Sequence, residues 1–400
     1  MLLEFSHQNL QGKKFSGQDL TGADFSFSNI RGAKFTGANL QNARFTHVVA
    51  GQQRRWVIGL AMGLLLLAAI AGFIAAYAGG LIGSLVVANN PELFGPRPVS
   101  LSSSLVAILV LIGFIYIAIK QGLGAALCVF LTGIMGIVAI VAAGSTVDAL
   151  AAVFVLQAIA LSIAVASAIM SAFVFSMGRI TVGDAFVYAI VVVTAAAAIL
   201  GGIEGTSSIS RTSFALSDTI ALTLSGAIAI ALLGLGYYMS HQAKNDNSRY
   251  VLIQSLAISV SALGGTSFRD TNLTDAIFDE ANLKTTDLRG AELMCTSFLN
   301  VKGLHQARVG STYLSHQKIR QLVISRDAQN KDFSCQNLKG INLQGANLTG
   351  VDFTGADLSS SNLQQADLSN AKLARAQLYQ CVALELFYFQ KLMVLVVRLN

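Results

Sequence analysis

The residue types that most often do chemistry are present in this chain, but they lie in no reactive pattern. The four cysteines have no CxxC spacing and no neighbouring histidine; they are Cys128, Cys295, Cys335 and Cys381. The histidines have no metal-ligand spacing; they are His7, His47, His241, His305 and His316. No nucleophile elbow, phosphate-binding loop, HExxH motif or dinucleotide fingerprint occurs. The sequence therefore predicts no catalytic residue, no metal site and no cofactor.

The composition indicates a membrane protein. Of the 400 residues, 54% are hydrophobic and only 12% are charged, whereas soluble domains carry about 25% charged residues. Charges are sparse between Trp56 and Ser240 and return on both sides of that block. Residues 1–50 hold five Lys or Arg against three Asp or Glu, and residues 266–380 hold twelve against eleven. Neither end is therefore expected to be a basic patch for nucleic acid.

Both flanks of the apolar block carry an apolar residue at every fifth position. The positions, all Leu, Phe or Ile, are Phe5, Leu10, Phe15, Leu20, Phe25, Ile30, Phe35, Leu40 and Phe45, then Phe268, Leu273, Phe278, Leu283, Leu288, Leu293 and Phe298, then Phe333, Leu338, Leu343, Leu348, Phe353, Leu358, Leu363, Leu368, Leu373 and Leu378. A period of five fits neither a helix face nor a flat strand. A chain that turns a corner once per repeat would keep every such centre inside, which predicts a solenoid.

The repeat also has a characteristic motif, A(D/N)LXX, as in Ala38-Asn39-Leu40 and Ala346-Asn347-Leu348. In this motif the chain resembles the pentapeptide-repeat proteins. The resemblance implies a right-handed quadrilateral β-helix with one pentapeptide per side, and by analogy a cyanobacterial source. Some members of that family mimic DNA, which requires a strongly negative rod. The balanced charges of the C-terminal repeats disfavour that role.

The apolar block predicts about six membrane-spanning helices, since each span needs about 20 apolar residues. The predicted spans are 56–78, 101–119, 122–144, 149–177, 180–203 and 214–239, and five or seven remain alternatives. With the N terminus inside, the cytoplasmic flanks would hold Arg54, Arg55, Lys120, Arg179, Lys244 and Arg249, against Arg97 and Arg211 outside. The positive-inside rule then places both termini in the cytoplasm, in a plasma or thylakoid-type membrane.

These patterns predict a chain of alternating repeat and helical segments. The segments are N-terminal repeats at 1–48, a transmembrane domain at 54–240, a capping or interfacial helix at 250–264, repeats at 265–314, a helical insertion at 315–330, repeats at 331–380 and an apolar tail at 381–400. We read the tail as a cap, a dimer contact, a membrane-surface segment or the end of a longer array. The sequence leaves two alternatives for the few N-terminal coils, which either stack on the C-terminal ones as one rod or form an independent module.

The expected function is that of a membrane-anchored scaffold or protein-interaction module without catalytic activity. Its partners would be the lipid bilayer and an unidentified protein on the β-helix faces, with a homodimer possible and no nucleic acid. The alternative is a transporter or channel with a regulatory cytoplasmic β-helix. A water-filled path or paired intramembrane charges would favour the alternative, and a tightly packed Ala, Gly and Leu bundle would favour the scaffold.

Overall fold

The computed structural model describes residues 3–87, 97–132, 148–207, 216–244 and 250–381. The chain divides into two compact units, which are considered separately below. The first, the coil unit, comprises Met1–Trp56 and Ser261–Asn400; the second, the helical unit, comprises Val57–Val260. The predicted tail at 381–400 lies outside the described residues from position 382 onward.

The coil unit is built from coils of four pentapeptides. Parallel bridges join Glu4 to Asp24 and Asp24 to Arg44, so each pentapeptide lies beside the one 20 residues later. We name the four sides A to D in chain order, beginning with residues 3–7, 8–12, 13–17 and 18–22. On side A, Phe25 donates its backbone N–H to the carbonyl of Arg44 at 2.8 Å, and Arg44 donates to that of Ala23 at 2.9 Å.

The β-helix that the resemblance implies is built without strands in the part of the chain that the structure describes. The described coils contain isolated bridges and no strand, because only one residue of each pentapeptide is bridged before the next two-residue turn begins. The backbone hydrogen bonds between coils are nevertheless regular. The backbone N–H and C=O groups are therefore paired between coils, although no strand of ordinary length forms.

The two repeat regions form one stack of coils. Parallel bridges join Lys34 to Ser267 and Val49 to Asn282, so the return of the chain takes the next place in the stack after Val49. Of the two alternatives, stacking of the N-terminal coils on the C-terminal ones is the arrangement that the structure shows. It also follows that the N-terminal repeats extend past the predicted end at 48.

Phenylalanine rings stack along two sides of the coils that precede the helical insertion at 317–325. We call residues 3–51 and 266–311 the entry coils and residues 326–381 the distal coils. On side A of the entry coils, Phe25 and Phe45 stack at 5.0 Å, and Phe45 stacks on Phe278 at 4.7 Å. On the opposite side C, Phe35 stacks on Phe268 at 5.1 Å, and it meets Phe25 edge-on at 5.4 Å. The distal coils are filled mainly by Leu.

A short helix interrupts the repeats between the entry and distal coils. It runs from Gln317 to Ser325, inside the predicted helical insertion, and its buried residues are Ile319, Leu322 and Val323, at helical spacing. The predicted insertion at 315–330 ends too late, because Asp327 already bridges to Asn347. The buried centre of that pentapeptide is Ala328, and a pattern based on Leu and Phe does not detect an alanine at this place.

Within the described residues the α-helices are, in chain order, α1 Arg54–Val87, α2 Arg97–Lys120, α3 Leu123–Thr132, α4 Asp148–Thr181, α5 Asp184–Ser207, α6 Leu216–Lys244, α7 Val251–Ser261 and α8 Gln317–Ser325. Four described stretches are long and apolar enough to cross a membrane: Arg54–Gly80, Ala158–Thr181, Asp184–Glu204 and Leu222–Ala243. Shorter apolar stretches are Ile108–Lys120, Leu123–Thr132 and Leu252–Ser261. Residues 133–144 of the third predicted span lie outside the described residues, and six spans stays a prediction.

The boundary predicted between spans 149–177 and 180–203 was wrong. Helix α4 continues through Arg179 to Thr181, and α5 begins at Asp184. Gly183 has a φ of +134°, a conformation that favours glycine and ends the helix. The charge at Arg179 is accommodated inside the helix end, where it lies 2.8 Å from Asp184 and donates to the Ser240 carbonyl at 3.1 Å.

Candidate functional site

The corner between sides B and C is where the chain leaves the stack and where it returns. Thr266 donates its backbone N–H to the Gly51 carbonyl at 3.1 Å, and its hydroxyl bonds the Ile30 carbonyl at 2.8 Å. Gly51 in turn donates to the Thr266 hydroxyl at 2.9 Å. Thr266 is fully buried. The fold thus continues across the break through buried hydrogen bonds, as if no helices had been inserted.

Two glutamines form side-chain hydrogen bonds between the departing chain and the coil unit. Gln52 donates its side-chain amide to the Leu263 carbonyl at 3.0 Å, and Gln53 donates to the Arg31 carbonyl at 3.4 Å. Gln53 lies over Gly12 and Gly32, where an added Cβ would meet its amide nitrogen at 2.5 and 2.7 Å. Glycine at these corners therefore leaves room for the departing segment.

The corner between sides A and B carries a column of exposed rings. His7 stacks on Phe27 at 4.9 Å, and Phe27 stacks on His47 at 4.7 Å. Phe27 is 54% exposed. The column ends at Glu280, whose carboxylate lies 3.3 Å from Nδ1 of His47. Three exposed rings on three successive coils, followed by the carboxylate of Glu280 on the fourth coil, thus line this corner of the surface.

The rings occupy a backbone conformation that aromatic residues rarely adopt. The φ angles of His7, Phe27 and His47 are +56°, +59° and +56°. This left-handed region suits Gly and Asn, and it is unfavourable for a bulky side chain. At the same corner Asn300 has a φ of +55°, so the fold accepts Asn there. The geometry of the turn therefore does not explain why aromatic side chains stand there. Strained surface residues often mark a functional site.

The sequence pattern predicts no site at these histidines, because they are far apart in a search for motifs. The sequence feature that could have identified the column is its spacing, because His7, Phe27 and His47 follow one another at intervals of 20 residues, the length of one coil. Residues that recur at that period form a column on one corner. The other three histidines do not belong to this column.

Cys295, a partly buried cysteine of the coil unit, is not poised to react as a thiolate. Burial raises the pKa of Cys295 to about 11, with smaller contributions from Asp275 and Cys381. The thiol is therefore protonated at neutral pH, and the reactive thiolate is scarce. Within the part of the chain that the structure describes, no group of three or more His, Cys, Asp or Glu could hold a metal ion.

Comparison with known proteins finds a family at both ends of the chain. A family model described as pentapeptide repeats matches in eight copies, over residues 4–37, 28–49, 261–293 and 337–381. No curated protein matches the chain.

Several solved structures are similar to part of the chain. HetL, a pentapeptide repeat protein involved in heterocyst differentiation regulation in Nostoc, is 18% identical over 29% of this chain and 52% of HetL, with a TM-score of 0.15. Rfr23 from Cyanothece is 24% identical over 30% of this chain and 69% of that one, with a TM-score of 0.12. QnrB1, a plasmid-mediated fluoroquinolone resistance protein, is 18% identical over 29% and 64%, with a TM-score of 0.11. The chain thus spans about half the length of HetL, and these similarities carry no argument about function.

Proposed function

Because the repeats of this chain belong to the pentapeptide-repeat family, we propose that it is a membrane-anchored protein-interaction module without catalytic activity. In this proposal the coil unit is a right-handed quadrilateral β-helix in the cytoplasm. The helical unit crosses the membrane with about six spans and holds the coils at its surface. The bound partner is a protein.

The exposed ring column of His7, Phe27 and His47 is the observation that supports a protein partner. Exposed aromatic side chains are enriched where proteins bind one another. The pentapeptides of side A also carry four acidic residues, Glu4, Asp24, Asp279 and Glu280, against Arg44 as their one Lys or Arg. A partner segment with basic and apolar side chains would match this surface.

Close helix packing supports an anchor rather than a transport path. An added Cβ at Gly72 would lie 2.2 Å from the Thr194 carbonyl, and one at Gly201 would lie 2.1 Å from that of Phe73. Small residues thus bring α1 and α5 into backbone contact, as in packed membrane helices. Between α1 and α6, the Ser225 hydroxyl donates to the Ala76 carbonyl at 2.8 Å.

Substitution within the ring column tests the proposed function without removing the coils. Phe27→Asn places a residue that the left-handed turn accepts, since Asn300 occupies the same corner. The matched control is Gln365→Asn, a residue of the distal coils with a φ of +58°. We expect affinity capture of the intact chain from native membranes to lose a specific partner with Phe27→Asn and to keep it with Gln365→Asn.

An unchanged set of captured proteins with Phe27→Asn would contradict the proposal. Loss of the same partner with both variants would also contradict it, because the effect would then not depend on the rings. If the lost species is a second copy of the chain, the ring column mediates a homodimer rather than binding to another protein. Differential tagging of two copies separates these outcomes.

A further inference from the structure

Charge is sorted by side in the entry coils, although the overall charge of the repeats is nearly balanced. Sides B and C carry nine basic residues, which are Arg31, Lys284 and Lys302 on B, and Lys13, Lys14, Lys34, Arg269, Arg289 and Arg308 on C. The same two sides carry two acidic residues, Asp270 and Asp287. Sides A and D carry seven acidic residues, which are Glu4, Asp24, Asp279, Glu280, Asp19, Asp275 and Glu292, against Arg44. One half of these coils is therefore basic and the other half is acidic.

Both acidic residues of the basic half are paired within their own pentapeptide. Arg289 contacts the carboxylate of Asp287 at 2.7 Å, and Arg269 contacts that of Asp270 at 3.1 Å. Burial alone would raise the pKa of Asp287, but the hydrogen bonds and charge of Arg289 hold that pKa below its ordinary value. The charge of Arg308 also lowers the pKa of Asp287. Sides B and C of the entry coils nevertheless stay strongly positive, with nine basic against two acidic residues.

The departure point of the membrane-spanning chain lies in the middle of this basic half. The chain leaves at Gly51 and returns at Gly265, on the corner that sides B and C share. It continues directly into Arg54 and Arg55, both exposed, and then into a stretch apolar enough to span a membrane, Arg54–Gly80. Trp56 is 45% exposed, and Trp is common at the level of lipid headgroups.

We propose that sides B and C of the entry coils bind the headgroups of anionic lipids. Basic residues close to the start of a membrane span are attracted to the negative surface of a cytoplasmic leaflet. The acidic half cannot serve this role, because anionic headgroups would repel it. The distal coils cannot serve it either, since each of their sides is balanced to within one charge. This inference rests on the membrane anchoring proposed above and adds the lipid class that the coils recognise.

Lysine labelling of the full chain in lipid bilayers tests the inference. The probes are bilayers of phosphatidylcholine alone and bilayers that contain about 30 mol% phosphatidylglycerol. Entry-coil lysines Lys13, Lys14 and Lys302 are exposed, and so are the distal-coil controls Lys331 and Lys339. We expect the anionic lipid to slow amine labelling of the entry lysines by about threefold or more, and to leave the controls unchanged. Raising the salt from about 0.1 M to about 0.5 M should remove the protection.

Variants in which lysine is replaced by uncharged glutamine identify which residues bind the anionic headgroups. Lys13→Gln combined with Lys14→Gln should reduce the lipid-dependent protection of Lys302. Lys331→Gln combined with Lys339→Gln, the matched control, should leave that protection unchanged. Equal protection in both variants would overturn the assignment to sides B and C.

The remaining outcomes separate this inference from the proposed function. Equal lysine labelling in both bilayers, with the chain still resistant to carbonate extraction, would overturn lipid recognition and leave the anchoring intact. Release of the chain by carbonate would overturn the anchoring itself. Protection by added RNA in phosphatidylcholine bilayers, without any effect of phosphatidylglycerol, would replace the lipid with a nucleic acid and overturn the inference.

Discussion

The entry coils and the distal coils share one backbone plan but differ in filling and in surface charge. Stacked phenylalanine rings occupy most centres on sides A and C of the entry coils, whereas leucine occupies most centres in the distal coils. Charges are sorted by side in the entry coils and mixed in the distal coils. Two periods in the sequence account for this contrast. The period of five determines which residues are inside, and the period of twenty determines which residues share a surface.

The entry coils also carry the additional tasks of the chain. They hold the corner where residues 54–260 are inserted, the ring column of His7, Phe27 and His47, and the basic half that surrounds Gly51. The distal coils carry none of these features. We therefore expect substitutions in the entry coils to have larger effects on both stability and binding than the same substitutions in the distal coils.

Deletion of residues 1–46 should have the largest effect. It removes the bridges from Lys34 to Ser267, from Asn39 to Asn272 and from Arg44 to Ile277, and it exposes the rings of Phe268 and Phe278. We expect limited proteolysis to cut residues 266–293 first, with the distal coils protected for longer. The digest is performed on the membrane-inserted fraction and mapped by mass spectrometry. Unchanged protection of 266–293 would mean that the C-terminal coils fold without the N-terminal ones.

Truncation of one ring should have the next largest effect. Phe35 is fully buried, stacks on Phe15 at 5.0 Å and on Phe268 at 5.1 Å, and meets Phe25 edge-on. Phe35→Ala is expected to lower the free energy of unfolding of the coil unit by about 3–5 kcal/mol.

The matched control for that ring is Leu348→Ala, at a fully buried centre of the distal coils. Its cost should fall at the lower end of about 2–5 kcal/mol, because no aromatic contact is lost. Thermal unfolding followed by near-UV circular dichroism compares the two variants. Equal losses would indicate that the ring stacking adds nothing beyond buried area.

The period of five makes much of the coil unit predictable from sequence. Buried centres such as Phe25 and Leu348, and the buried face of α8, follow from spacing alone. The restart at Asp327 could not be predicted in this way, because Ala328 is too small to stand out. The ring column and the sorted charges carry a sequence signal only once the coil length of 20 residues is known, since it brings distant residues such as His7 and His47 together.

Substitution of the glycine at the departure corner should destabilise the coil unit more than substitution of a glycine at an open corner. Gly51 has a φ of +106°, and an added Cβ would lie 2.2 Å from the Lys284 carbonyl. Gly17 has a φ of +68° with open space around it. Gly17→Ala should cost about 1–2 kcal/mol for the left-handed conformation alone, and Gly51→Ala should cost more, because backbone must also move. Urea unfolding measures both, and equal costs would contradict the close approach at Gly51.

Acid sensitivity of the distal coils should be the smallest effect. The hydroxyl and backbone N–H of Ser369 hold the pKa of Asp367 below its ordinary value. This stabilisation is complete above the ordinary aspartate pKa and is lost as the pH falls through the lowered folded value. Asp367 is largely exposed, so we expect a contribution below about 0.5 kcal/mol.

The substitution Asp367→Asn isolates that contribution, because an amide already serves at the same place one coil earlier. There Asn347 accepts the backbone N–H of Thr349 at 3.3 Å, so the turn itself does not require a charge. The variant should unfold slightly more easily than the unsubstituted chain at pH 7, and the two should become equal once the pH falls below the lowered pKa of Asp367. Urea unfolding at several pH values measures the difference. A difference that persists at low pH would mean that the carboxyl group acts through packing, and that hydrogen bonding to its charged form contributes nothing.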